Sequence, residues 1–248
     1  MEVHHHTHHP KKFKEYLWEF LMLFLAVFCG FFAEYQLEHK IEHQREKVYI
    51  RSMVNDLKKD TTNFNAVINN FLENEARLEI VLRGFEQGRT TFSESWAKEF
   101  VFTGRMGFTD FFYTDRTLQQ LKNSGGLRLI RNDNASSGII EYDAVVKDLA
   151  VELSVLSEYH GQYMEAIDKV WSFRKMFTDQ GVIKWQREPA LPVLKNYWTT
   201  NDPAAFEYLY NKATHYYYTY SRVRKQLVEG KMKAIGLIDL LNTEYHLK

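Results

Sequence analysis

Residues 16–35 read YLWEFLMLFLAVFCGFFAEY, and this run restricts what the chain can fold into more than any other feature. A helix of about 20 residues rising ~1.5 Å per residue covers the hydrocarbon core of a bilayer, roughly 30 Å thick. The uninterrupted apolar part, 20–33, is shorter. Glu19 and Glu34, however, stand where a carboxylate reaches the interface, and Tyr16, Trp18 and Tyr35 supply aromatic edges for the headgroup region. The run is therefore expected to be a transmembrane helix held by Tyr16, Trp18, Glu19 and Tyr35, with membrane lipid as its first partner. No small-residue cleavage site follows it, and the bulky Phe28 before Cys29 spoils a lipoprotein box, so the anchor is expected to be retained.

The expected layout is a His-rich, basic cytoplasmic tail at 1–15, the span at 16–35, and an exported helical domain at 36–248. Lys11, Lys12 and Lys14 precede the span, while Lys40, Arg45, Lys47 and Arg51 follow it, so the positive-inside signal nearly cancels. Export of the long C-terminal part is expected because a short basic tail before an uncleaved span usually stays in the cytoplasm. In a Gram-negative bacterium the expectation is then a single-pass inner-membrane protein with a periplasmic domain.

Lysine plus arginine equals aspartate plus glutamate at 32 each. No global field draws such a chain to a polyanion, and nucleic acid is not an expected partner. The single cysteine, Cys29, lies in the apolar run, which excludes an internal disulfide framework and a cysteine zinc site. The tract of His4, His5, His6, His8 and His9 reads as a flexible tail, although neutral imidazoles bind transition metals. His39 and His43 share a helix face at i and i+4, but no third ligand stands near them, so no metal is expected.

After the span there is no proline or glycine until Gly84, and Ile50, Leu57, Phe64, Phe71, Leu78 and Phe85 recur every seventh residue. This is a heptad seam. Asp60, Thr61, Asn74 and Glu75 interrupt its partner positions, which suits a mixed bundle, and a hinge near 60–63 would shorten the rod. Two short helices are expected between Gly88 and Tyr113, and one over 115–123 ended by Ser124, Gly125 and Gly126, where glycine takes the left-handed conformation. A long helix follows over 135–177, then a loop around Gln180, Gly181, Pro189 and Pro192. The last helix opens with Asp202 as cap and Pro203 at its first position. No window alternates like a strand, so the fold class is all-α: one N-terminal transmembrane helix continuing into an extended bundle with three long helices.

Catalytic patterns are thin. Neighbours such as Glu42-His43 and Tyr159-His160 do not give Glu-x-x-His spacing on two helices, and no nucleophile-elbow motif is present. The pair Gly125-Gly126 lacks the ending of a phosphate loop. No enzyme activity and no cofactor are expected. The most unusual patch is His215-Tyr216-Tyr217-Tyr218-Thr219-Tyr220, near which Trp171, Trp185, Tyr197 and Trp198 could gather. Tyrosine supplies rigid contact area with a polar tip. Tyr217 and Tyr220 are assigned to the core, and Tyr216 and Tyr218 to a partner surface, together with the seam residues Ile50, Leu57 and Phe64.

The segment LQQLKNSGGLRLIRN at 118–132 with IIEYD at 139–143, and KEYLWEFLMLFLAVFCGFFAE followed by HQREKVYI at 43–50, resemble an uncharacterised family of single-span proteins from Gram-negative bacteria, especially Bacteroidetes. The resemblance covers roughly the first 145 residues and implies an inner-membrane anchor with a helical exported domain. It implies no activity. The expected function is a non-enzymatic scaffold or accessory subunit of a larger cell-envelope complex, bound to a protein partner or to copies of itself. The alternative is a ligand-sensing bundle that signals through its membrane helix to a separate partner.

Overall fold

The computed structural model describes residues 13–88, 93–106, 110–175 and 197–247. Five α-helices appear among them: α1 Phe13–Glu86, α2 Glu94–Met106, α3 Arg116–Asn123, α4 Asp133–Val170 and α5 Pro203–Glu244, with a 3-10 turn at Gly126–Leu129 between α3 and α4. The one β pairing among the described residues is an isolated antiparallel bridge between Trp171 and Trp198. The fold is all-α. The His tract, Trp185 and the loop with Pro189 and Pro192 lie outside the described residues.

The chain divides into two compact units, Met1–Tyr49 and Ile50–Lys248, and α1 contributes to both. Within the second unit the heptad seam faces inward: Ile50, Leu57, Phe64, Phe71 and Leu78 are fully buried, and Phe85 is half-buried against Trp96. This corrects the assignment of Ile50, Leu57 and Phe64 to an interaction surface. The chain supplies its own cover, since Phe71 stacks on Tyr220 of α5 at 4.2 Å and Phe64 on Phe111 at 4.1 Å. A Cβ on Gly230 of α5 would meet the Phe64 ring at 3.0 Å, so that glycine admits the ring. Each such side chain taken from water contributes about 1.5–3 kcal/mol.

No hinge opens at 60–63. The Thr61 and Thr62 hydroxyls donate back to the Lys58 carbonyl at 2.8 and 3.1 Å, and Asp60 is buried with tertiary partners, so α1 passes through unbroken.

Helices α4 and α5 form an antiparallel pair. Gln162 meets Lys212, Glu152 meets Arg222, Glu141 meets Lys233 and Asn132 meets Glu244, the α5 number rising as the α4 number falls. Both helices begin as the local sequence dictates. Asn132 Oδ1 accepts from Ala135 N at 2.9 Å, and Asp202 Oδ1 accepts from Ala204 N at 3.0 Å ahead of Pro203. Gly125 takes φ +64° after α3, a conformation costly for a residue with a Cβ. Helix α4 stops at Val170 rather than at 177, because Trp171 turns into the bridge: Ser172 N donates to Tyr197 O and Thr199 N to Val170 O.

Between Gly88 and Tyr113 the described residues hold one helix, α2, followed by the irregular stretch 110–115. Helix α2 is tied down by Arg77–Glu99 at 2.7 Å, by Trp96 Nε1 donating to Val81 O, and by the Thr103 and Tyr163 hydroxyls 3.3 Å apart.

Candidate functional site

In the first unit, the apolar stretch of α1 is exposed all round. Phe20, Phe24, Phe28 and Phe32, four residues apart, stack with centroids 6.1–6.5 Å from one another. Tyr16, Trp18, Glu19 and Tyr35 are exposed as well. Farther along, His39 and His43 face Glu42 and Glu46 three residues on, at 4.0 and 3.2 Å. No group of three potential metal ligands occurs among the described residues.

In the second unit, the most site-like arrangement is a buried carboxylate network. Asp56 and Asp60 lie one turn apart on α1, 1% and 0% exposed. Asp56 accepts from the Thr117 backbone N–H at 3.2 Å, from the Thr117 hydroxyl, and from the Arg116 guanidinium at 3.2 Å. Asp115, the residue before α3, makes no side-chain cap bond, so Asp56 caps α3 from another helix and meets the positive end of its dipole. Asp60 divides its oxygens between Thr114 N–H and the Tyr142 hydroxyl, each at 2.7 Å. Burial first, then the charge of Asp60 and the hydrogen bond to it, push the Tyr142 phenol far above its ordinary value.

The neighbouring Asp143 receives both the Lys122 and the Lys147 ammonium groups on Oδ2. Burial alone would raise this carboxyl, but the two lysines outweigh it and hold it below the usual carboxylate value. Asp143 Oδ1 has no hydrogen-bond partner among the described residues. The four oxygens of Asp56 and Asp60 are all engaged by donors of the fold, so this network acts as a brace that fixes 114–117 and α4 against α1. Nothing in the sequence pattern singled out Asp56 or Tyr142. The available signal was a pair of acids four residues apart inside an otherwise apolar seam, where unpaired charge is expensive.

Beside the brace, an open trough of about 530 Å³ runs between 110–115 and α4, lined by Phe111, Phe112, Tyr113, Val146, Leu153 and Ser154, with the exposed Asp110 and Asp115 among its walls.

The tyrosine tract is arranged differently from the expectation. Tyr216 is fully buried, stacked on Tyr163 of α4 at 5.5 Å and edge-on to Tyr220 at 5.6 Å, while Tyr217 is half-buried and Tyr218 is exposed. Tyr216 is therefore core and not partner surface. Tyr216 and Tyr217 both fit the three- and four-residue stripe from Ala213 to Tyr220. The docking of α4 selects Tyr216 because Tyr163 stands opposite it. Trp171, Tyr197 and Trp198 do gather, but with Trp96, Phe100 and Phe206 at the start of α5 rather than around the tract. Near the tract, His160 of α4 bonds through Nε2 to Gly104 O at 3.0 Å, and burial lowers its pKa despite that bond.

These features define an all-α chain with one N-terminal helix long and apolar enough to cross a membrane. No protein-family model, curated protein or solved structure matches it.

Proposed function

We propose that the chain is a single-pass anchored, non-enzymatic scaffold or accessory subunit of a cell-envelope complex, with its second unit exported to the periplasmic side of an inner membrane. The observation that carries the reading is the apolar stretch of α1: none of it is buried within the fold. A helix apolar on every side and covered by none of the described residues is suited to an apolar solvent, and a run of about twenty residues matches a bilayer core, roughly 30 Å. Phe20, Phe24, Phe28 and Phe32 then face lipid, and Tyr16, Trp18 and Tyr35 sit at its borders. The brace of Asp56 and Asp60 favours a scaffold, because its polar groups are spent on holding helices together. Tyr218, exposed on α5, is the tyrosine left for a partner.

Membrane fractionation with alkaline carbonate extraction tests the anchor: an integral protein stays in the pellet, and release to the supernatant sinks the reading. The sole cysteine is Cys29, so a Cys29→Ala background with Gln119→Cys reports topology by labelling of intact cells or spheroplasts with an impermeant maleimide. Labelling without lysis places the second unit outside the cytoplasm. Purification in mild detergent with intact-mass measurement then tests for a stoichiometric partner.

A further inference from the structure

We infer that the trough between 110–115 and α4 is a docking site for an extended, basic and apolar peptide segment of a partner protein. The inference rests on the subunit reading above and names the chemistry of the contact. Three groups at this trough lack what their counterparts elsewhere receive from the chain itself. Arg77 lies over the Phe102 ring at 4.2 Å, and Lys169 lies over Tyr208 at 4.2 Å. Phe112, by contrast, is 76% exposed and has neither a ring nor a cation against it among the described residues. The carboxylates of Asp110 and Asp115 are exposed and form no ion pair among the described residues, whereas Asp56, Asp143, Glu75 and Glu152 each hold a cation. Arg116, next in sequence to Asp115, pairs with Asp56, and Lys122 and Lys147 both pair with Asp143.

The trough thus combines an apolar floor, an exposed aromatic ring and two aspartates without an ion pair among the described residues. A guanidinium or ammonium beside apolar side chains satisfies all three at once, by cation–π contact with Phe112 and charge pairing with the aspartates. Along α4 the lining runs from Val146 to Ser157. At ~1.5 Å per residue this is about 16 Å, the length of about five residues in extended conformation. The outer face of α4 here carries Ala150, Ser154 and Ser157, all exposed and small, which lets a backbone lie close.

The test uses the full chain in detergent micelles and fluorescence anisotropy with a fluorescein-labelled pentapeptide, Phe-Arg-Leu-Lys-Phe, against its charge-reversed form, Phe-Glu-Leu-Glu-Phe. Saturable binding of the basic peptide alone is expected, weakened about tenfold in Asp110→Asn/Asp115→Asn and again by raised salt. Ser154→Trp, which fills the trough from an exposed position, should abolish binding with the circular dichroism spectrum unchanged. Equal binding of both peptides, or binding indifferent to these substitutions, overturns the inference. Absence of binding in a protein that still fractionates with membranes and co-purifies with a stoichiometric partner overturns the docking site alone and leaves the subunit reading standing.

Discussion

The hydroxyl of Tyr142 donates a 2.7 Å hydrogen bond to a carboxylate oxygen of Asp60, which has no solvent exposure at all. One bond thereby joins α4 to the seam of α1 and makes a buried charge tolerable. Tyr142→Phe removes the donor and leaves Asp60 half-served, at an expected cost of about 1–3 kcal/mol. Chemical denaturation at neutral pH measures it. A loss below half a kilocalorie would mean that the brace is not buried as described.

The cap on α3 makes a second prediction. Asp56→Ala strips the Thr117 N–H of its acceptor and the Arg116 guanidinium of its partner, and it should cost about 2 kcal/mol, since a lost cap and an orphaned buried donor act together. Arg116→Ala, at a largely exposed position, should cost under about 1 kcal/mol. Amide hydrogen exchange should show the loss first in 116–123.

Alkaline pH is expected to unfold the second unit. Burial raises the phenol pKa of Tyr142, Tyr163, Tyr216 and Tyr220 above the ordinary value of 10.0. Above pH ~10 the unfolded chain releases these protons while the folded chain keeps them, so each group subtracts up to about 1.4 kcal/mol per pH unit. At neutral pH the term is absent. The share of phenolate absorbance that belongs to these four buried tyrosines should rise only together with the loss of helical circular dichroism. Titration of all tyrosines with the helices intact would contradict their burial.

Acid works through Asp143. Its folded pKa is depressed by Lys122 and Lys147 in spite of burial, so its contribution is present above the unfolded value near 4 and fades as pH falls through the lower folded value. Asp143→Asn should be less stable at pH 7 and lose less stability on acidification than the parent. Parallel pH curves would count against the pair.

A fourth helix contact tests packing. A Cβ on Gly84 would lie 2.0 Å from Trp96 Nε1, the atom that donates to Val81 O. Gly84→Ala must push the indole off α1, at about 1–3 kcal/mol, with a shift in tryptophan emission. In α5, Tyr216→Ala should cost about 3–5 kcal/mol and Tyr218→Ala less than about 0.5.

Periodicity and capping residues were enough to read the three long helices and α3, but not the end of α4 at Val170 or the single described helix between Gly88 and Tyr113. The seven-residue recurrence from Ile50 to Leu78, the Asp202-Pro203 start and the Gly125 stop are local signals, since a helix forms and ends by contacts within four residues. That the run at 16–35 is a helix long and apolar enough to cross a membrane was legible for the same reason: length and composition decide it, not a partner. What covered each apolar face was not local. The same heptad seam suits a second chain or α5, and only the docking of Phe71 on Tyr220 decided for the latter. Tyr216 and Tyr217 are equivalent by spacing, and Tyr163 of α4 chose between them. Asp60 reads as a break in a hydrophobic pattern and Asp56 carries no signal of its own, and their partners Tyr142 and Thr117 come from sixty and more residues away. A buried charge is stabilised by its tertiary partners, and those are set by packing alone.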